Sequence, residues 1–224
     1  MMNNRFAIPI LLLLMLAGTT QAGLLKNSVD LADLSKVSPE ALESLKEPEF
    51  AVFVTNVRLR AAMEAEDVAA GGAKAARRII EAEDLDLKAA KAESKAAKAN
   101  RDQERMTAAG ARKVGAEEDL KTANALIKWK REEQKLREAE VKAAKSAVDL
   151  AEAQREMARL RLLSEANAAV AAKYDSPDFE ENARKRLIEY DKTVAKVQEK
   201  ATSVEKLKAA WYALARHENL SETE

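Results

Sequence analysis

The chain has 224 residues, with 38 basic and 38 acidic side chains, one His and no Cys. Aromatic residues make up 4% and charged residues 34%, the balance of long helices or coiled coils rather than of a compact mixed domain. Disulfides are excluded, and acid–base or nucleophilic sites built on several His or Cys have no material.

The first 22 residues read as a secretory signal peptide. Arg5 gives a positive start, Phe6 to Leu16 an apolar core, and Gly18-Thr-Thr-Gln-Ala22 an exit with small residues Thr20 and Ala22 before Gly23. That order is the export pattern, and the apolar run is shorter than the ~20 residues a membrane span needs. The reading implies an exported, best periplasmic, protein; a retained anchor is the alternative. Residues 23–48 form an N-terminal segment. In it Ser38-Pro39-Glu40 sets a short helix with Ser as N-cap and Pro at the first position, and Pro48 is expected to stop that helix.

Residues 49–172 contain no Pro and are predicted to form a long antiparallel hairpin. Its first arm carries the row Phe50, Phe53, Val57, Ala61, Val68, Ala75, Ile79 and Ala82, expected to face the second arm. The turn is expected near Gly110 to Gly115, which makes the arms nearly equal, ~85–90 Å each. Facing residue numbers then sum to about 225, with Phe50 and Phe53 beside Tyr174 and Phe179. A single helix of about 120 residues is the alternative, since each interior Gly costs only ~1 kcal/mol. The second arm carries two apolar stripes. Leu120, Ile127, Val141, Val148 and Leu162, with Ala123, Ala144, Ala151 and Ala158, make a heptad stripe. Leu136, Ala139, Ala143, Leu150, Ala153, Met157 and Leu160 make another on a different side, so this helix needs two partners.

The second partner is the last helix, expected over residues 178–217 after the turn Lys173-Tyr-Asp-Ser-Pro177. Its seam, Leu187, Val194, Val197 and Val204, should meet Leu150 and Met157, with facing numbers near 350. Residues 218–224 are read as a disordered tail. The expected architecture is all-α: an elongated, coiled-coil-like antiparallel hairpin with a third, C-terminal helix packed on its base, leaving Lys88 to Lys135 as a bare two-helix tip.

Chemistry is sparse. Gly110-x-x-x-x-Gly115 lacks the Lys and Ser/Thr of a phosphate loop, and the lone His217 lacks metal partners. No cofactor, no metal, no nucleic acid and no enzymatic activity are expected. Charge is unevenly placed: residues 24–87 hold 8 basic and 13 acidic side chains, residues 88–145 hold 16 and 10, and residues 146–224 hold 13 and 15. Lys88, Lys91, Lys95, Lys98, Arg101 and Arg105 recur every three or four residues, and Lys128, Arg131 and Lys135 add to them. A solvated face with internal ion pairs is the plain reading; contact with an anionic surface is the functional one.

The expected function is an exported structural or adaptor protein of the cell envelope. It would dock through a basic hairpin tip on anionic lipid or an acidic protein partner, with homo-oligomerisation possible. An export signal followed by Ala-, Lys- and Glu-rich helical hairpins also resembles, in architecture, the periplasmic holdase-type chaperones with helical arms. No strand pattern here matches their small strand-built body. Mass spectrometry of the exported protein is expected to find Gly23 as its first residue; a chain still starting at Met1 makes the apolar run an anchor.

Overall fold

The computed structural model describes residues 27–221, and their side chains as far as Ala215. The signal-peptide reading, the His217 side chain and residues 222–224 lie outside them. The described chain is helical without strands: α1 Leu31–Leu34, α2 Pro39–Leu42, a 3-10 turn Glu43–Leu45, α3 Lys46–Ala99, α4 Gln103–Ala166, α5 Ala168–Ala171 and α6 Ser176–Ser221. The two longest, α3 and α4, pack antiparallel, and α6 packs on the other side of α4. The all-α hairpin with a third helix therefore stands, and the single continuous helix does not.

Local signals explain most boundaries. The Ser38 side chain accepts the Ala41 N–H at 3.3 Å and opens α2. Pro48 does not stop a helix. It sits in the opening turn of α3, where a missing N–H costs nothing. The hairpin turn is not at Gly110 to Gly115; both glycines lie inside α4, in helical backbone. It is the three residues Asn100, Arg101 and Asp102. Arg101 takes the left-handed conformation (φ 54°), and the Asp102 carboxylate accepts the Arg105 N–H at 3.0 Å to cap α4. Asn and Asp supply the turn that Gly was expected to supply. The register moves with it. Leu87 meets Ala116 and Glu93 meets Arg112, sums of 203 and 205 rather than about 225.

At the other end α4 stops at Ala166, six residues before the expected Ala172. Asn167 (φ −154°, ψ 83°) breaks it, and its side chain caps α5 by accepting the Val170 N–H at 3.2 Å. α6 begins at Ser176, two residues before the expected start, and its backbone is helical to Ser221, so the predicted tail from 218 begins as helix. Lys200 pairs with Glu132 and Arg186 with Asp149, sums of 332 and 335 against about 350. α6 thus reaches farther up α4 than expected, to Leu120, where Leu214 faces it. The bare two-helix tip shrinks accordingly, to the stretch around the turn from about Leu85 to Glu117.

The α3 seam is the main correction. The row Phe50, Phe53, Val57, Val68 and Ile79 points into solvent, with Phe50 64% and Val68 77% exposed. The buried side carries Val52, Ala69, Ala73, Ala76, Leu87, Ala90 and Ala97. With Leu59 and Ile80 these fall on one strict heptad track, positions 52, 59, 73, 80 and 87 alternating with 69, 76, 90 and 97. Against it α4 turns the first predicted stripe, of which Ala123, Ile127, Val141, Ala151 and Leu162 are buried. Alanine wins the seam because helix axes come closest where side chains are smallest. Phe50 and Phe53 stack on each other at 6.2 Å, away from Tyr174 and Phe179, which meet edge-on at 6.3 Å.

Large side chains collect at the base. Val29, Leu34, Val37 and Leu45 from the N-terminal segment cover Leu160, Leu162 and Leu163 of α4 and Phe179 of α6. Buried Glu156 ties this corner: it accepts the Val29 N–H at 3.0 Å and the Arg155 and Arg159 guanidiniums, both at 2.9 Å, and Arg159 also holds Glu49 of α3. The Tyr174 hydroxyl donates to Asp33 (2.9 Å) and accepts the Asp30 N–H (3.0 Å). On α6 Val204 is buried and Val194 and Val197 are half-buried, as are Leu150 and Met157 of α4. Leu187, predicted in the seam, is 44% exposed; Thr193 is buried in the register that displaces it.

Among the described residues Leu163 is the most completely buried large side chain, at 0% exposure. Leu163→Ala is expected to cost about 2–5 kcal/mol by lost burial and a residual cavity, read as a lower denaturant midpoint with the helical circular dichroism spectrum kept at low denaturant.

Candidate functional site

The tip is the one place where charge, exposure and backbone geometry coincide. The corrected turn sets Lys95, Lys98, Arg101 and Arg105 within one or two helical turns of the hairpin's end, all exposed. Residues 88–115 carry eight basic side chains against three acidic ones. Two of those acids are engaged in ion pairs. Glu93 receives Arg112 from the opposite arm at 2.9 Å through both carboxylate oxygens, and Asp102 is held by Arg105 at 3.3 Å. Lys88 pairs back to Asp84 at 2.6 Å. Lys91, Lys95, Lys98 and Arg101 make no ion pair among the described residues, so their charge faces solvent.

Arg101 is the sole non-glycine residue with positive φ among those described. A left-handed residue other than Gly costs roughly 1–2 kcal/mol, and Gly or Asn would fit the turn at lower cost. That cost falls on a cation at the outermost point of the hairpin. Strained non-glycine backbone concentrates where a side chain has a task beyond folding.

The other predicted contacts are not part of this tip. Lys128, Arg131 and Lys135 are exposed, but they stand on α4 where α6 runs alongside. Lys135 is bound to Glu132 at 3.1 Å, and the same carboxylate receives Lys200 from α6 at 2.9 Å. These two donors, Lys200 first, hold the Glu132 carboxyl below the usual carboxylate range. Next to it lies a cluster that periodicity did not reveal. Trp129, in neither predicted stripe, meets Trp211 of α6 at 5.1 Å between ring centres, with Tyr212 at 6.2 Å and the Lys130 ammonium 4.0 Å from its ring. The Trp129 and Trp211 Nε1 groups are buried without a hydrogen-bond acceptor from the chain. The signal lay in the period: Trp129 stands seven residues before Leu136 of the second stripe, which was expected to start only there, and Trp211 seven after Val204.

Among the described residues no group of three or more His, Cys, Asp or Glu is arranged to hold a metal ion, and no helix is long and apolar enough to cross a membrane. No protein-family model, curated protein or solved structure matches the chain.

Three carboxylates with lowered pKa values, Glu132 in the α4–α6 seam, Asp33 in the base and Glu181 beside Lys185 on α6, make stability pH-dependent, while burial raises that of Glu152. The Asp33 shift comes from the Lys36 ammonium first and then the Tyr174 hydroxyl. A depressed folded pKa contributes stability that is fully present above the unfolded carboxylate range and is lost as pH falls through the folded value. The melting temperature is therefore expected to fall below about pH 4, and Glu132→Gln is expected to flatten the acid limb of that profile.

Proposed function

We propose that the protein is an exported adaptor or spacer that docks tip-first on an anionic surface, the headgroups of an anionic bilayer being the surface it suits. The observation that carries this reading is the group Lys95, Lys98, Arg101 and Arg105 at the bare end of the hairpin, with Arg101 held in a costly backbone conformation. Export rests on the N-terminal sequence pattern, with the positive start, apolar core and small-residue exit.

The geometry supports the reading in a second way. α3 is 54 residues and α4 64 residues long, ~80 and ~95 Å at 1.5 Å per residue, and the clusters of large side chains, at the base and around Trp129 and Trp211, lie below the bare stretch. The charged end thus stands well clear of the packed base. Near an anionic bilayer each Lys or Arg that reaches the surface contributes about 1 kcal/mol, and the attraction fades within ~8–10 Å in physiological salt. Only a protruding, narrow end brings several cations inside that distance together.

Replacing Lys95, Lys98, Arg101 and Arg105 with Gln is expected to weaken partition to vesicles containing phosphatidylglycerol by roughly a hundredfold or more, at about 1 kcal/mol per charge. Co-sedimentation at low and high salt measures it, with zwitterionic vesicles as control and circular dichroism to confirm that the helices remain. Wild-type protein that ignores anionic vesicles at low salt but binds an acidic protein surface moves the partner from lipid to protein. Binding to neither leaves the tip a solvated face.

A further inference from the structure

The outward row of α3 holds five of the large apolar side chains that the fold leaves exposed among the described residues. Phe50, Phe53, Val57, Val68 and Ile79 recur at helical spacing on the side turned away from α4, all exposed. α6 does not cover it, because α6 packs on α4. Continuous apolar rows of this kind on a folded chain mark a contact face.

We infer that this face of α3 pairs antiparallel with the same face of a second copy of the chain, about a two-fold axis at Gly71. Three observations select this occupant. The first is Gly71 itself, on the outward side, whereas its neighbour Gly72 faces Lys130 of α4. Two adjacent Gly in mid-helix cost about 1 kcal/mol each relative to Ala, and nothing inside the chain requires Gly71. A Cβ built there meets no atom within 4 Å. A second helix backbone crossing at that point does require it, since only Gly lets two backbones approach so closely.

The second observation is the order of charges beside the row. From the glycines toward the N-terminus come Asp67 and Glu64, then Arg60; toward the C-terminus come Lys74 and Arg78, then Glu81. Counted from Gly71, Asp67 and Lys74 stand 4 and 3 residues away, Glu64 and Arg78 both 7, and Arg60 and Glu81 11 and 10, so opposite signs fall within one residue of matching positions. A reversed copy therefore sets Asp67 against Lys74, Glu64 against Arg78 and Arg60 against Glu81, each pair made twice by symmetry. A parallel copy in register makes none of the three. Five of these six side chains have no ion pair among the described residues; Glu81 has only an exposed one, to Arg77 at 3.3 Å. Opposite charges flanking an apolar seam set helix orientation.

The third observation is size. The same inversion places Phe53 opposite Ala89 and Phe50 opposite Ala92, both exposed alanines, so the bulkiest residues of the row meet the smallest. A strip ~10–12 Å wide over the ~63 Å from Phe50 to Ala92 is about 600–750 Å² in projection, close to the ~800 Å² per partner of a stable interface.

The natural absence of Cys makes the test direct. Sedimentation velocity of the purified protein is expected to show a dimer. Phe53→Cys mixed with Ala89→Cys is expected to form an interchain disulfide under mild oxidation, whereas either variant alone is not, because its two copies stand ~54 Å apart along the axis. Asp67→Lys is expected to weaken self-association at least tenfold, and adding Lys74→Asp to restore it, with circular dichroism unchanged throughout. The inference is overturned by a monomer at tens of micromolar, by self-linking of Phe53→Cys alone, which means parallel pairing, or by a charge swap without effect. It is equally overturned if the protein stays monomeric and uses this row to bind vesicles or unfolded polypeptide, an activity that Val57→Asp would abolish.

Discussion

The molecule depends on close approach of two helices through alanine. Where α3 and α4 meet, Ala69, Ala73, Ala76, Ala90 and Ala97 face Ala109, Ala116, Ala123 and Ala151, all buried. Small residues let the axes run near the ~8 Å end of the usual helix spacing, so dispersion contacts between backbones replace the burial of large side chains. The contribution per residue is small, about 0.8 kcal/mol for each buried methyl-sized group. Such a seam holds only because it is long and kept in strict heptad register. One consequence is that stability is uneven along the length. The stretch beyond the reach of α6 has only Leu87 and the small residues Ala90, Ala97, Ala109 and Ala116 in its seam and exposed ion pairs, which are worth little each. Local opening is therefore expected to begin at the tip, the same end that carries the unpaired cations.

The base compensates. There the N-terminal segment supplies the large residues that the alanine seam lacks, and buried Glu156 joins Val29, Arg155 and Arg159 in one network. A buried carboxylate with three donors adds little net stability compared with an apolar group of the same shape, but it admits few alternative arrangements. It thereby fixes how the N-terminal segment meets α4, and through Arg159 and Glu49 it fixes the axial position of α3. In a long Ala-rich pair, where a slip of one heptad changes packing only slightly, this corner and the Arg112–Glu93 pair hold the register from opposite ends.

The parts legible in the sequence were those where large apolar residues mark the packed face. The two stripes of α4, the existence of α6 and the cap at Ser38 could be read from periodicity and turn chemistry. The α3 seam could not be read in the same way. A search for bulky residues finds Phe50, Phe53, Val57 and Val68, while the buried track is mostly Ala, which occurs on every side of the helix. The heptad rule was satisfied by both faces, and side-chain size pointed to the wrong one. The turn was misplaced for a related reason. Gly110 and Gly115 are the conventional breakers, but the α-helix tolerates them at ~1 kcal/mol each, and Asn100-Arg-Asp102 closes the hairpin without any Gly. The basic residues from Lys95 to Arg105 stood out by their spacing. Their position at the outermost end emerged only once the turn had moved.

The face that misled the reading of α3 and the tip that gained from the corrected turn are geometrically linked. If two copies pair antiparallel about Gly71, each Arg101 lies about 30 residues from the two-fold axis, in opposite directions. The two basic tips are then ~90 Å apart at 1.5 Å per residue, one at each end of a common rod. Each tip then lies level with the base of the other copy, since α4 runs on to Ala166, about 32 residues or ~48 Å from the axis on that side. A monomer with one cationic end can only decorate a surface. A symmetric rod with a cationic tip at both ends can hold two anionic surfaces at a fixed separation, and the stiffness needed for that comes from the long heptad seam. The cost of the mid-helix Gly71 and one left-handed arginine then falls at the two points such a spacer needs, its centre of symmetry and its ends.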